Sequence, residues 1–511
     1  MEQARDGRAA VCHADTPTVV WFRRDLRVHD HPALSASASR GPVIPLFVLD
    51  PGLLRGRFAS PNRTWFLLGA VDALAAELEA RGVPLSVRVG PATEVVPAFA
   101  LAVGAGSVAI SRELTPYGRL RDQAVADALA SVGIDLRATS GVLVHEPEEV
   151  VTGGGRPYAV FSPFLRRWES LALRDVLPAP KRLIGIPATN EPCLPPGGVA
   201  ALPTVQRLRL AKPTARAETL PERGEAAARA RLARWVAAVP DGGPTAYAVR
   251  RDRLADEAGT SHLGADLRLG LLSPVEVAAR ALAADGGTNG SRRFLSELAW
   301  RDFYAHVLWH DPSIARREFQ KRYADVRWPG GSDAEGSPAS SAAIDAWRTG
   351  RTGYPIVDAA MRQLAATGFM HNRGRMIASS FLAKDLLVDW RIGEAHFMHQ
   401  LLDGDPASNL GGWQWVASVG TDPQPWFRVF NPVTQGQRFD PDGQYVRRWV
   451  PELARVPTAR IHTPWTMSPD EALAAGVRIG IDYPAPIVDH AEARLRALAW
   501  FRAVAPVQRT S

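Results

Sequence analysis

Thr18-Val-Val-Trp-Phe22 is the first of a series of short apolar runs, and its successors are Val43–Leu49, Leu85–Val89, Val108–Ile110 and Ile134–Arg137. Helical patterns separate them. One is Thr64–Arg81, where Leu67, Val71, Leu74 and Leu78 fall on one face; another is Arg119–Val132. Strands alternating with helices predict a parallel, Rossmann-like sheet covered on both faces. No G-x-G-x-x-G follows the first run, and Gly104-Ala-Gly-Ser107 lacks the third glycine, so an ordinary nicotinamide site is unsupported. From Pro187 to Glu225 the chain is rich in Pro and Gly, most clearly at Pro195-Pro-Gly-Gly198, and reads as a surface linker. Beyond Ala226 helical patterns dominate to about Val504, interrupted by the breaker-rich stretch Gly330–Ser341, expected to be an exposed loop. The expected layout is a flexible N-terminus at 1–17, an α/β domain at 18–145, a linker at 146–225, a large all-α domain at 226–504 and a tail at 505–511.

At 511 residues the chain has ample material for two or more domains. Its 46% hydrophobic and 22% charged content is that of a soluble globular protein. A net charge of +7 permits a polyanionic partner without requiring one, and an Arg-rich genome accounts for it equally well. Cys12 and Cys193 are too few for a disulfide framework or a cysteine metal cluster, and no metal site is expected. No signal-peptide core and no apolar run of membrane-spanning length is present, which places the protein in the cytoplasm and away from membranes.

The chemistry concentrates in Asp403-Gly-Asp-Pro-Ala-Ser-Asn409-Leu-Gly-Gly-Trp413-Gln-Trp415. Two carboxylates this close repel unless a cation or hydrogen-bond donor holds them, so the run is suited to a polar ligand. The indoles beside it are readily oxidised. With Trp300, Trp328 and Trp390 upstream, and 15 Trp in all, the pattern points to redox chemistry on a flavin. On residue type alone, each of these Trp is more often a packing residue.

Several longer stretches carry a resemblance. They are Val19-Val-Trp-Phe-Arg-Arg-Asp-Leu-Arg27, Gly259-Thr-Ser261, Phe294-Leu-Ser-Glu-Leu-Ala-Trp-Arg-Asp-Phe-Tyr304, Thr352–Met361, His371-Asn-Arg-Gly-Arg-Met376 and Asn431-Pro-Val-Thr-Gln435. Together with the acid-and-indole run they make the chain resemble the photolyase/cryptochrome family, most closely its bacterial class I cyclobutane pyrimidine dimer photolyases. The resemblance implies FAD, held by Tyr247, Thr260, Ser261, His262, Leu263, Gly264, Phe294, Arg375, Asp403, Gly404, Asp405 and Asn409. Arg375 would pair with the first acid, and Asn409 would face flavin N5 without adding a charge. Two positions depart from the family: it commonly has Ser where this chain has Gly264, and often Arg at His262.

The same resemblance implies a substrate face in which Glu297, Trp300, Asn372 and Met376 contact a flipped-out dimer. Glu297 and Trp300, three apart, would share one side of a helix. Arg251, Arg301, Tyr304, Arg373 and Gln435 would complete the DNA contacts. Trp413, Trp390 and Trp328 match an electron path from flavin to surface, and Trp415 would pack beside it. Arg23–Arg27, Phe47–Asp50, Arg112–Tyr117, Ser60–Arg63 and Phe66-Leu67 line up with segments around an antenna chromophore, 8-hydroxy-5-deazaflavin in preference to methenyltetrahydrofolate. The implied activity is light-driven splitting of cyclobutane pyrimidine dimers in DNA by a monomer. The alternatives are a cryptochrome photoreceptor without repair activity, opposed by Asn409, Met376, Glu297 and Trp300, and a (6-4) photolyase, opposed by Asn372, Met376 and the lone His371.

Overall fold

A computed structural model describes residues 16–186, 211–239, 241–324, 326–329, 340–421 and 428–504. Both cysteines, the chain before residue 16, the Pro/Gly-rich linker from 187 to 210, the loop at 330–339 and the tail from 505 lie outside them.

Five strands form one parallel sheet: β1 (Thr18–Phe22), β2 (Val43–Leu49), β3 (Ser86–Val89), β4 (Ser107–Ser111) and β5 (Asp135–Thr139), in the order β3-β2-β1-β4-β5. All five lie within a residue or two of the apolar runs. Because strand side chains alternate, β1 sends Val20 and Phe22 to one core and Val19 and Trp21 to another. Helices Ala92–Ala102 and Pro116–Ala130 cover the second face with Val96, Phe99, Val125 and Leu129. The first face is covered by helices Pro32–Ala38 and Pro61–Glu79, and its core runs on without a break into the helical domain. Both expected helices begin three residues early. Ser60 and Thr115 cap them by accepting from the N–H groups of Arg63 and Gly118, with proline at the first helical position.

The stretch 146–186 does more than link. It contains the helix Phe161–Glu169, which buries Phe161, Phe164 and Trp168 against the 22-residue helix Asn289–His310. Trp168 Nε1 donates to Asp302 Oδ2 at 3.0 Å, and the N–H groups of Val144 and His145 reach the same oxygen at 3.0 and 3.2 Å. Burial raises Asp302 to about 6 despite Arg301 beside it. The helical domain follows, and no described helix is long and apolar enough to cross a membrane.

Candidate active site and electron path

The acid loop joins helix Trp390–Gln400 to helix Pro406–Val416, and each acid has its own cation. Asp403 Oδ2 accepts from Arg375 Nη2 at 2.8 Å, while its Oδ1 is buried without a hydrogen-bond partner. Asp405 caps the next helix, accepting from Ala407 and Ser408 N–H at 3.0 and 3.1 Å. Its other oxygen meets Arg24 of the first domain at 2.5 Å and Arg268 at 4.0 Å. Burial alone would raise the Asp405 pKa, but the guanidiniums of Arg24, Arg268 and Arg301 outweigh it and hold the group far below the usual carboxylate range. A side chain on Gly404 would run into the Arg63 guanidinium, which donates to Met398 and Leu401 carbonyls. Arg24, Arg63 and Arg268 are thus partners of the loop that sequence reading missed.

Asn409 has its amide nitrogen fixed by Glu394, at 3.0 Å from the backbone carbonyl and 3.2 Å from Oε1. That assigns the two ends of the carboxamide and leaves its oxygen as the group to offer a ligand. Glu394 is itself buried, which raises its pKa against the pull of Arg57, whose Nη2 lies 3.5 Å from Oε2.

Opposite the acids lies Thr260–Gly264. Thr260 Oγ1 is buried and unpartnered, and a Cβ on Gly264 would stand 2.6 Å from Asp403 Oδ2, so the hydroxyl-bearing loop and the acid loop abut. Ser261 Oγ lies 3.5 Å from the N–H of the buried Leu263. His262 adopts φ +53°; its ring meets the Glu257 carbonyl at 2.8 Å and packs on Phe369. Tyr247 and Phe294 pack edge to face at 5.3 Å with Trp235 behind them. The buried, unpartnered Asp403 Oδ1 and Thr260 Oγ1 and the uncommitted Asn409 oxygen are polar groups that fit a ligand such as FAD, for which the resemblance would place them at the ring and the diphosphate.

The substrate-face residues also come together. Arg251 Nη1 pairs with Glu297 Oε1, Arg293 approaches the same oxygen at 3.7 Å, and Ser296 Oγ at 3.4 Å. Asp252 lies 3.9 Å from Arg251 and 2.9 Å from Arg373. Asn372 Nδ2 is 3.9 Å from Met376 Sδ. Trp300 is half-buried and stacks on Phe161, ring centroids 3.6 Å apart and 9° from parallel. Tyr304 packs where Gly411 leaves room, and Gln435 Oε1 is buried without a partner. Arg301 stands apart from this face: its guanidinium is given to the carbonyl of Val142 at 2.8 Å and reaches that of Leu267 at 3.5 Å, which ties the domains together. His371 caps helix Asn372–Ser380, Nδ1 accepting from Arg373 N at 3.1 Å, and burial lowers it to about 4, so it is a neutral structural residue.

Trp413 is buried, and Gly393 makes room for its ring against helix Trp390–Gln400. Trp390 and Trp328 both donate their indole N–H to Glu318 Oε1 at 3.3 Å, and Arg391 holds the second oxygen at 3.0 Å. A shared carboxylate brings two easily oxidised rings side by side and favours positive charge on either. Glu318 sits in a polar run that gives no hint of this. Trp328 is only 5% exposed, so the path does not reach solvent there. Trp415 has a buried, unpartnered indole N–H.

A cavity of about 1,090 Å³ opens at the carboxyl ends of β1, β2 and β4, lined in part by Arg23, Asp50, Ser60, Arg63 and Tyr117. This is the crevice where ligands bind open parallel sheets. Tyr117 Oη donates to Asp50 Oδ2 at 3.3 Å. Glu394 and Leu410 also line it, so Glu394 touches both this cavity and Asn409. Three antenna-segment residues are committed elsewhere: Arg27 to the carbonyls of Asp30, Gly141 and Gly270, Asn62 to Thr214, Ala215 and Gln400, and Phe66 to the core.

The parallel-sheet domain thus carries a large cavity at its strand ends, and the helical domain carries the abutting acid and hydroxyl loops. Residues 18–181 match the family described as DNA photolyase, and residues 294–503 the FAD binding domain of DNA photolyase. A deoxyribodipyrimidine photo-lyase of Streptomyces griseus is 42% identical over 94% of this chain and 97% of its own. The fold is similar to a bacterial class III photolyase from Agrobacterium tumefaciens, with a TM-score of 0.85, 38% identity and coverage of 98% and 99% of the two chains. It is also similar to a Synechocystis cryptochrome, with a TM-score of 0.84, 30% identity and coverage of 95% and 99%. The chain belongs to the photolyase/cryptochrome family.

Proposed function

We propose that this protein is a light-driven deoxyribodipyrimidine photolyase acting on cyclobutane pyrimidine dimers in DNA. The observation that carries the reading is the double duty of one helical turn. In helix Asn372–Ser380, Arg375 holds Asp403 of the flavin pocket, while Arg373 joins the ion-pair chain through Asp252 and Arg251 to Glu297. Cofactor and lesion would therefore be held by the same rigid element. Bound there in its reduced form, FAD would supply electron-transfer chemistry with no net redox change, while Asp403, Arg375 and Asn409 would hold and orient it. Trp300, backed by Phe161, offers a rigid platform for a flipped pyrimidine pair. Among the described residues the contacts to Glu297 fall on Oε1, which leaves Oε2 to meet a base edge. Arg251 and Arg373 keep their acids and offer their remaining N–H groups to a phosphate when DNA binds.

His371 is committed as a helix cap through Nδ1, and burial lowers its pKa, which adds to Asn372 and Met376 against the (6-4) alternative. We further infer that FAD is bound by Tyr247, Thr260, Ser261, His262, Leu263, Gly264, Phe294, Arg375, Asp403, Gly404, Asp405 and Asn409, and that the cavity at the strand ends takes 8-hydroxy-5-deazaflavin in preference to methenyltetrahydrofolate, the protein working as a cytoplasmic monomer. Denaturing purified protein is expected to release FAD, and with it a second chromophore absorbing at longer wavelength than a folate. Well-folded protein that yields no flavin even after reconstitution would contradict this.

Trp300→Ala is expected to weaken binding of dimer-containing duplex by about 1–3 kcal/mol through loss of base stacking, with little effect on undamaged duplex, whose affinity comes mainly from phosphate contacts. Glu297→Ala is expected to lower repair per absorbed photon more than it lowers binding. Equal wild-type affinity for damaged and intact duplex in a gel-shift titration would point to a photoreceptor instead.

A further inference from the structure

Trp328, the outermost ring of the path expected from the sequence, is buried, and a terminal donor must be able to shed a proton and meet an outside reductant. Directly against it lies Trp500 of the C-terminal helix His490–Val504, ring centroids 4.8 Å apart and tilted by 40°. Trp500 is partly exposed to solvent. Phe501 packs edge-on against both indoles, at 4.6 Å from Trp500 and 6.0 Å from Trp328, and fixes their relative placement. We propose that Trp500 is the terminal, solvent-facing member of the electron path, so that the path runs Trp413, Trp390, Trp328, Trp500. This rests on the reading of the first three as electron carriers.

The electron count is simple. Trp413 gives one electron to the photoexcited oxidised flavin, Trp390 refills Trp413, Trp328 refills Trp390, and Trp500 refills Trp328. The positive charge then sits on Trp500, whose indole N–H gives its proton to water and leaves a neutral radical. A small-molecule thiol restores it by donating a hydrogen atom and becomes a thiyl radical. The net change is one electron moved from thiol to flavin and one proton released. Glu318 contacts the two inner rings equally at 3.3 Å, whereas Arg391 stacks 4.6 Å over Trp390 and so disfavours positive charge there relative to Trp328; water does the rest at Trp500 by taking the proton. Tyr323 is the competing candidate. Among the described residues its ring contact with the cluster is to Phe501, at 5.9 Å, and burial raises its pKa, so both its route and its proton loss are unfavourable.

The test is transient absorption on FAD-loaded wild type, Trp500→Phe, Trp500→Tyr and Trp328→Phe, with thermal melting to confirm folding. Trp500→Phe is expected to lose most of the long-lived neutral tryptophanyl signal, and Trp500→Tyr to replace it with the sharp near-ultraviolet band of a tyrosyl radical. As an independent readout, illumination with a nitroso spin trap followed by peptide mass spectrometry should place the adduct on Trp500. An unchanged radical lifetime in Trp500→Phe and an adduct on Trp328 or Tyr323, with Trp328→Phe still blocking the signal, would overturn the proposal and leave the three-tryptophan path standing. An unchanged signal in Trp328→Phe as well would overturn the path itself.

Discussion

Asp405→Ala is expected to be among the most destabilising single changes in this chain. It removes the carboxylate that Arg24 reaches from the first domain and that Arg268 approaches from the second, and it uncaps helix Pro406–Val416. Breaking one partner out of a buried pair costs about 3–5 kcal/mol, and a lost cap adds about 1 kcal/mol. Urea unfolding followed by circular dichroism should show the midpoint fall with little change in slope. A loss below about 1 kcal/mol, the worth of a surface ion pair, would show that the Arg24–Asp405 contact does not hold the domains together. Acid sensitivity follows from the same cluster. Burial would raise Glu113, but Arg24, Arg121 and Arg23 outweigh it and hold the group at about 2, against 4.5 ordinarily. Asp405 is likewise depressed. Depressed carboxylates contribute stability that is complete above their unfolded pKa and lost as pH falls through the folded one. Wild-type stability should therefore decline from about pH 4.5 toward about pH 2, and Asp405→Ala should decline less steeply over that window.

Trp413→Phe is expected to abolish photoreduction of the oxidised flavin, because phenylalanine is far harder to oxidise than indole and Trp413 is, on the proposed reading, the ring that gives the flavin its electron. Repair by protein reduced chemically beforehand should persist, since the tryptophans restore the cofactor and do not touch the lesion. Steady-state bleaching of the flavin band under blue light separates the two. Bleaching at the wild-type rate in the mutant would remove Trp413 from the path.

The parts legible in the sequence are those carried by local pattern. A parallel strand buried on both faces must be apolar along its length, which is why Val43–Leu49 could be placed to the residue. The starts of helices Pro61–Glu79 and Pro116–Ala130 were also written in the chain, as Ser60-Pro61 and Thr115-Pro116, but an apolar periodicity begins only a turn later and hides them. The helix Phe161–Glu169 was missed because nine residues give too few turns to stand out from a linker. Arg375 as the cation on Asp403 came from the resemblance. The cation on Asp405 did not: Arg24 lies 381 residues away, in a segment that resembled an antenna wall. Glu394 and Glu318 look like ordinary surface acids in sequence. Only the packing of Asn409 on one and of two indoles on the other gives them a role.

Repair is read by mixing chemically reduced, FAD-loaded protein with duplex DNA carrying a single cyclobutane pyrimidine dimer, illuminating with blue light, and following the lesion by chromatography. Light-dependent return of the dimer to two intact pyrimidines is expected, repeated over many turnovers, with no loss in the dark. A lesion that survives illumination, although the protein holds reduced FAD and binds the duplex, would contradict the proposed function.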